Sequence, residues 1–97
     1  MVVAAVTLDE DAEVLQKVLD ERVRQVLRWG QQNHRPERFL VILLEEVGEV
    51  ARAFNDNEPR ANVVAETVQV AAVALAFAAA MVRNYDVEGY WNADQRQ

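Results

Sequence analysis

Three carboxylates, Glu45, Glu46 and Glu49, fall within Leu43 to Phe54 (LLEEVGEVARAF), a stretch otherwise apolar at helical spacing. Carboxylates seldom keep such company without a partner, because an ionised group taken out of water loses its hydration. On a helix a three-residue step turns about 60° around the axis and climbs about 4.5 Å, so Glu46 and Glu49 project from neighbouring positions of one face. Glu45, four residues before Glu49, flanks the same patch. Like charges this close raise one another's pKa unless a cation sits between them. A hard divalent ion suits them, since Mg²⁺ takes oxygen ligands, keeps some of its waters and bridges to phosphate.

A second stretch, Ala65 to Ala71 (AETVQVA), repeats the spacing with Glu66 and Gln69 at the head of a long apolar segment. No basic residue lies three or four positions from Glu66, so its partner must come from another element. Alone, Glu45 and Glu46 read as a solvated helix face, and Gln69 as an interhelical hydrogen bond. Glu66 tips the balance toward a metal held between two helices by Glu46, Glu49, Glu66 and Gln69. The only histidine, His34, lies in a connection, no Glu-x-x-His pair exists and cysteine is absent, so zinc, diiron and soft-metal sites are not expected.

The elements that must position these groups are three helices. Thr7 to Glu10 (TLDE) has the form of a capping box, which predicts a first helix starting at Leu8. Val14, Leu15, Val18, Leu19, Val23, Val26 and Leu27 then make a wide apolar stripe, with Asp20, Glu21, Arg24 and Arg28 outside it, up to Trp29 and a left-handed cap at Gly30. After the polar connection GQQNHRP, Pro36 suits the first turn of a second helix, expected over 36–54. Its stripe is Phe39, Leu40, Leu43, Leu44, Val47, Val50, Ala51 and Phe54. NDNEPR has turn chemistry, and a third helix is expected over 60–83, antiparallel to the second. It is apolar nearly all round from Val70 to Val82, thirteen residues. A bilayer needs roughly 17 to 25, so the expectation is a helix buried on all sides in a bundle and no membrane. The remainder, 84–97, is a polar tail with Tyr85, Tyr90 and Trp91, read as irregular or as a short docking segment.

At 97 residues the chain reads as a single domain over 1–97. Folded alone it would bury roughly two-thirds of its unfolded surface, leaving little room for a deep site. Hydrophobic residues make up 52% of the chain. Two apolar stripes and an all-round apolar helix exceed what one copy can bury, so a four-helix-bundle core completed by dimerisation is expected. A formal charge of -6, with the arginines scattered, disfavours a nucleic-acid duplex as partner. The start, MVVAAVTLDED, lacks the basic n-region and cleavage pattern of a signal peptide, and a cytoplasmic protein is expected.

The motif Glu45-Glu46-Val47-Gly48-Glu49, followed across a short loop by Glu66-Thr67-Val68-Gln69 in an Ala/Val-rich helix, resembles the MazG-like all-α nucleoside triphosphate pyrophosphohydrolases. Their pattern is Glu-Glu-x-x-Glu and then Glu-x-x-Asp, and the similarity covers Trp29 to Val82. It implies hydrolysis of a (d)NTP to the monophosphate and pyrophosphate with Mg²⁺ (Mn²⁺ as substitute) on Glu46, Glu49 and Glu66. Glu45, Glu46 and Glu49 would form the catalytic group, Glu45 as an outer ligand or orienting the attacking water. It further implies a dimer or tetramer, Trp29 stacking on a base, Gln32 or Asn33 reading its edge, and Arg83 and Asn84 near phosphates. The plainer readings are Trp29 as a core or interface anchor, Arg83 as a helix-dipole partner, and His34 as a cap or surface loop residue and not a catalytic base. Gln69 departs from the pattern's Asp and removes one negative charge. The alternative it leaves open is a weak or inactive helical dimer acting as a nucleotide-binding or regulatory module.

Overall fold

The structure, a computed structural model, describes residues 2–90. Among these residues all regular structure is helical, with three helices and no strand: α1 Val2–Trp29, α2 Pro36–Asn55 and α3 Arg60–Arg83. Trp91 and the rest of the expected polar tail, 91–97, lie outside the described residues.

Five of the six helix ends fall at or within one residue of the places that the sequence predicts. Gly30 closes α1 with φ of 74°, donating its N–H to the Val26 carbonyl at 2.8 Å. Pro36 opens α2, where its missing N–H costs nothing because first-turn donors have no helical partner. The turn into α3 is fastened by N–H bonds from Asp56 to Arg52 (2.9 Å) and from Glu58 to Ala53 (3.0 Å). Asn57 takes the left-handed position there, with φ of 54°, which an asparagine tolerates better than most residues. The exception is the start of α1. The helix is already running at Val2, so Thr7 to Glu10 lie inside it and do not mark its start. Nothing in VVAAV breaks a helix, and a threonine with a helical turn ahead of it has no free N–H groups to cap.

Both α1 and α2 pack on α3 and make no close backbone approach to each other, which leaves a cleft between them with α3 as its floor. On the α2 side, Phe39, Ala76, Ala80 and Tyr90 form one buried cluster with Phe77 and Met81 against it. The Phe39 and Phe77 rings stack at 5.2 Å. Small residues on α3 let the helices close in, and Tyr90 docks from the segment after α3. On the α1 side, Val18, Val68 and Ala72 form a second, smaller cluster.

The faces differ from those expected. On α1 the buried positions are Val18, Glu21 and Gln25, at 5, 9 and 6% exposure, a 3–4 spacing that leaves the apolar stripe pointing mostly outward. Leu15, Leu19, Val23 and Leu27 are exposed, as are Leu40, Leu44, Val47 and Phe54 on α2. Within one chain α3 is not buried on all sides either: Val68, Ala72, Val73, Ala76 and Ala80 are covered, whereas Leu75 and Val82 are open. By length and composition α3 also qualifies as a membrane span, with a mean hydropathy of 1.9 over its most apolar window. Thr67 and Gln69 interrupt the apolar run without lowering that average far. The core helix of a soluble bundle has the same composition.

Candidate functional site

The cleft between α1 and α2 has a volume of about 640 Å³. Its walls come from every helix and from the connection between α1 and α2. Glu21, Gln25 and Trp29 stand on α1, Gln32, Asn33 and His34 on the connection, Ile42 and Glu46 on α2, and Gln69 and Val73 on α3. One end is therefore aromatic and amide-lined, and the other carries carboxylates.

Glu46 is partly buried at the acidic end. Its pKa is raised above the ordinary 4.5, first by loss of hydration and then by repulsion from Glu66, Glu49, Glu45 and Glu21. The carboxylates of all three helices thus act on one group. Glu49 meets Arg52 at 3.5 Å on the same helix, an exposed pair that solvent weakens. Glu45 is exposed and Glu66 half-buried. Neither these two nor Glu49 lines the cleft, although their charges are felt within it. Among the described residues no three His, Cys, Asp or Glu side chains converge as a ready-made metal cluster. The oxygen donors about Glu46 suit a hard cation with retained waters over a soft one, while Arg24, which also lines the cleft, neutralises Glu21 and leaves Glu46, among the described residues, the one unpaired carboxylate in the lining.

The buried carboxylate is one that sequence reasoning set aside. Glu21 accepts two bonds from the Arg24 guanidinium, at 2.9 and 2.6 Å, and one from Gln25 Nε2 at 3.0 Å. The Arg24 bonds do most to lower its pKa, against the opposing effect of burial, and the nearby Gln69 amide and the Gln25 bond assist. Arg22 in turn donates to Gln25 Oε1 at 2.8 Å. The available signal was spacing: Val18, Glu21 and Gln25 stand at i, i+3 and i+7, so the face is continuous although its chemistry changes from apolar to polar.

Of the expected substrate-binding residues, Trp29, Gln32 and Asn33 line the cleft. Trp29 is exposed, not a core anchor, with Arg28 at 5.0 Å from its ring. Arg83 and Asn84 lie outside the lining and hold the connection instead. Arg83 donates to the Asn33 Oδ1 at 2.9 Å and to the Gln32 carbonyl at 3.0 Å, and Asn84 Nδ2 donates to the same Asn33 Oδ1 at 3.0 Å. With that oxygen occupied, only the Asn33 amide N–H groups remain for a ligand. His34 sets its ring edge-on to Phe39 at 5.1 Å, and its carbonyl accepts from the Tyr90 hydroxyl at 2.8 Å. The Arg35 guanidinium donates to the Gly89 carbonyl. In comparisons with known proteins, no family model, curated protein or solved structure matches this chain.

Proposed function

We propose that the chain is a Mg²⁺-dependent nucleoside triphosphate pyrophosphohydrolase, acting in the cytoplasm on the (d)NTP pool, with Mn²⁺ able to substitute. The observation that carries this reading is a single cleft with an exposed indole and amides at one end and, at the other, a carboxylate whose ionisation four neighbouring carboxylates oppose. Trp29 offers its face to a base, and Gln32 and Asn33 offer groups for the base edge. Glu46, on the cleft wall, would hold the cation together with Glu49 and Glu66 from beside the cleft, with Gln69 as an oxygen donor and Glu45 biasing the field from outside. When bound, Mg²⁺ supplies charge for the triphosphate and lowers the pKa of a ligated water. Arg83 and Asn84 act at one remove, by holding the connection that carries Gln32 and Asn33.

The active assembly is proposed to be at least a dimer, two copies completing a four-helix core. The chain's accessible surface is 7358 Å², against about 5,600 Å² for a compact monomer of this size. The excess is of the order that one subunit buries in an obligate interface.

The alternative, a non-catalytic binding or regulatory module, draws on the absence of a converged three-carboxylate cluster among the described residues. Pyrophosphate release across common and modified (d)NTPs, with and without Mg²⁺, separates the two. Turnover that needs Mg²⁺ and falls about a hundredfold in Glu46→Gln and Glu49→Gln is expected. No turnover with any substrate, together with wild-type behaviour of Glu46→Gln and Glu49→Gln, favours the binding module.

A further inference from the structure

Of the two residues offered to a base edge, Gln32 is held through its backbone carbonyl, which leaves its side chain to turn, whereas Asn33 is held by the amide itself. A carboxamide has an oxygen at one end and an NH₂ group at the other in nearly the same shape, so its neighbours decide which end faces which way. Arg83 meets one end of the Asn33 amide with Nη2 at 2.9 Å and Nε at 3.3 Å. A guanidinium donates hydrogen bonds and accepts none, so that end is the oxygen. Asn84 Nδ2 donates to the same oxygen at 3.0 Å and to the Ala80 carbonyl, which only accepts, at 2.7 Å. The Asn84 amide is thus fixed by the backbone of α3, and the Asn33 amide by two donors that cannot exchange roles with it.

Both donors stand at the end of α3 outside the cleft lining, while Asn33 belongs to that lining. With its oxygen turned to α3, Asn33 keeps its NH₂ group for the cleft. The direction of a nucleotide there follows from the two ends of the cleft: phosphates at the carboxylates and their cation, base at the indole and amides. The part of the base that reaches farthest is then the atom opposite the glycosidic nitrogen, C4 of a pyrimidine or C6 of a purine. That atom carries an oxygen in keto bases and an amino group in amino bases. The Asn33 NH₂ group bonds to the oxygen, but against an amino group it sets donor against donor.

We infer that Asn33, locked by Arg83 and Asn84, makes the site selective for nucleotides with keto bases, such as uracil and hypoxanthine, over those with the amino bases cytosine and adenine. This rests on the nucleotide reading proposed above. Asn33 is exposed, so water softens the mismatch, and the discrimination is about tenfold, well short of what a sealed pocket reaches.

The test is calorimetric binding of the non-hydrolysable α,β-imido forms of dUTP, dCTP, dITP and dATP to the full chain in the presence of Mg²⁺. Within each pair, dUTP with dCTP and dITP with dATP, the bases differ only at the far atom and the ring nitrogen beside it. In the wild type the keto member of each pair is expected to bind about tenfold more tightly. Asn33→Asp keeps the shape and an oxygen for Arg83 but turns an acceptor to the cleft, and it is expected to reverse the order in both pairs. A residue that merely supported the connection would lower every affinity together and leave the ratios alone. Circular dichroism checks the fold of Asn33→Asp, and where that variant does not fold the wild-type ratios decide. Equal binding within the wild-type pairs, tighter binding of the amino members, or ratios unchanged in a folded Asn33→Asp overturns the inference and leaves the nucleotide reading standing. Binding of none of these nucleotides overturns both.

Discussion

At Glu46, burial and the surrounding carboxylates all oppose ionisation, and its pKa lies above 4.5 in the folded chain. The folded state then holds that proton longer than the unfolded state, so stability declines as pH rises from 4.5 through the raised value. Glu21 behaves oppositely, since its lowered pKa adds stability above 4.5 that is lost as pH falls through the lowered value. For these two groups the metal-free protein is most stable near pH 4.5. Thermal unfolding is expected to show Glu46→Gln a few degrees more stable than the wild type at pH 7, and Glu21→Gln insensitive on the acid side. Mg²⁺ should raise the wild-type Tm at pH 7 and do so less in Glu46→Gln. A Glu46→Gln protein no more stable than the wild type at pH 7 would show that no electrostatic strain is stored there.

Among the elements, the connection between α1 and α2 has no regular structure, yet it is held at several points. Arg83 and Asn84 grip Asn33 from the end of α3, and the segment after α3 returns to tie His34 through Tyr90 and Arg35 through Gly89. Burial raises the Tyr90 phenol pKa above its ordinary value and keeps it a donor. Tyr90→Phe keeps the ring in the cluster with Phe39 and removes only the hydroxyl, with an expected cost of about 1 kcal/mol. Its signature should be a several-fold weaker affinity for a non-hydrolysable nucleotide with Mg²⁺ affinity unchanged, since the connection carries Gln32 and Asn33 while the carboxylates stand on helices. Equal loss of both affinities would place Tyr90 in general support of the fold.

For the whole molecule, the radius of gyration is 16.0 Å, against about 12–13 Å for a compact chain of this length. The difference follows from the separation of α1 and α2, and it goes with apolar side chains left open, such as Leu44 and Phe54 at 63 and 71% exposure. Leu40, Leu44, Val47, Ala51 and Phe54 alternate steps of four and three along α2, a seam suited to a facing helix. Light scattering at micromolar concentration is expected to give at least twice the chain mass. Leu44→Glu with Phe54→Glu should shift the protein to monomer and lower its Tm. A wild-type monomer would rule out the proposed assembly.

Helix positions were legible in the sequence because their signals are local. Gly30, Pro36 and the Asn-Asp-Asn turn act on neighbouring backbone, whatever the tertiary structure. Apolar periodicity identified which residues avoid water, but not which of them a single chain covers. The α1 stripe and much of the α2 stripe are open, and α1 turns Val18, Glu21 and Gln25 to α3 instead. The TLDE reading of a helix start also fell to context, since a cap acts only where no earlier turn exists. Spacing brought out Glu46, Glu49, Glu66 and Gln69, because like charges on an apolar face stand out within one or two helices. It passed over Glu21, whose burial depends on which side of α1 meets α3, and the family resemblance assigned Arg83 and Asn84 to phosphates without the connection that occupies them. The sequence by itself determined three helices and the residue types available for cation chemistry. Only the tertiary structure decided which of them share a cleft, because that choice rests on packing between segments far apart in the chain.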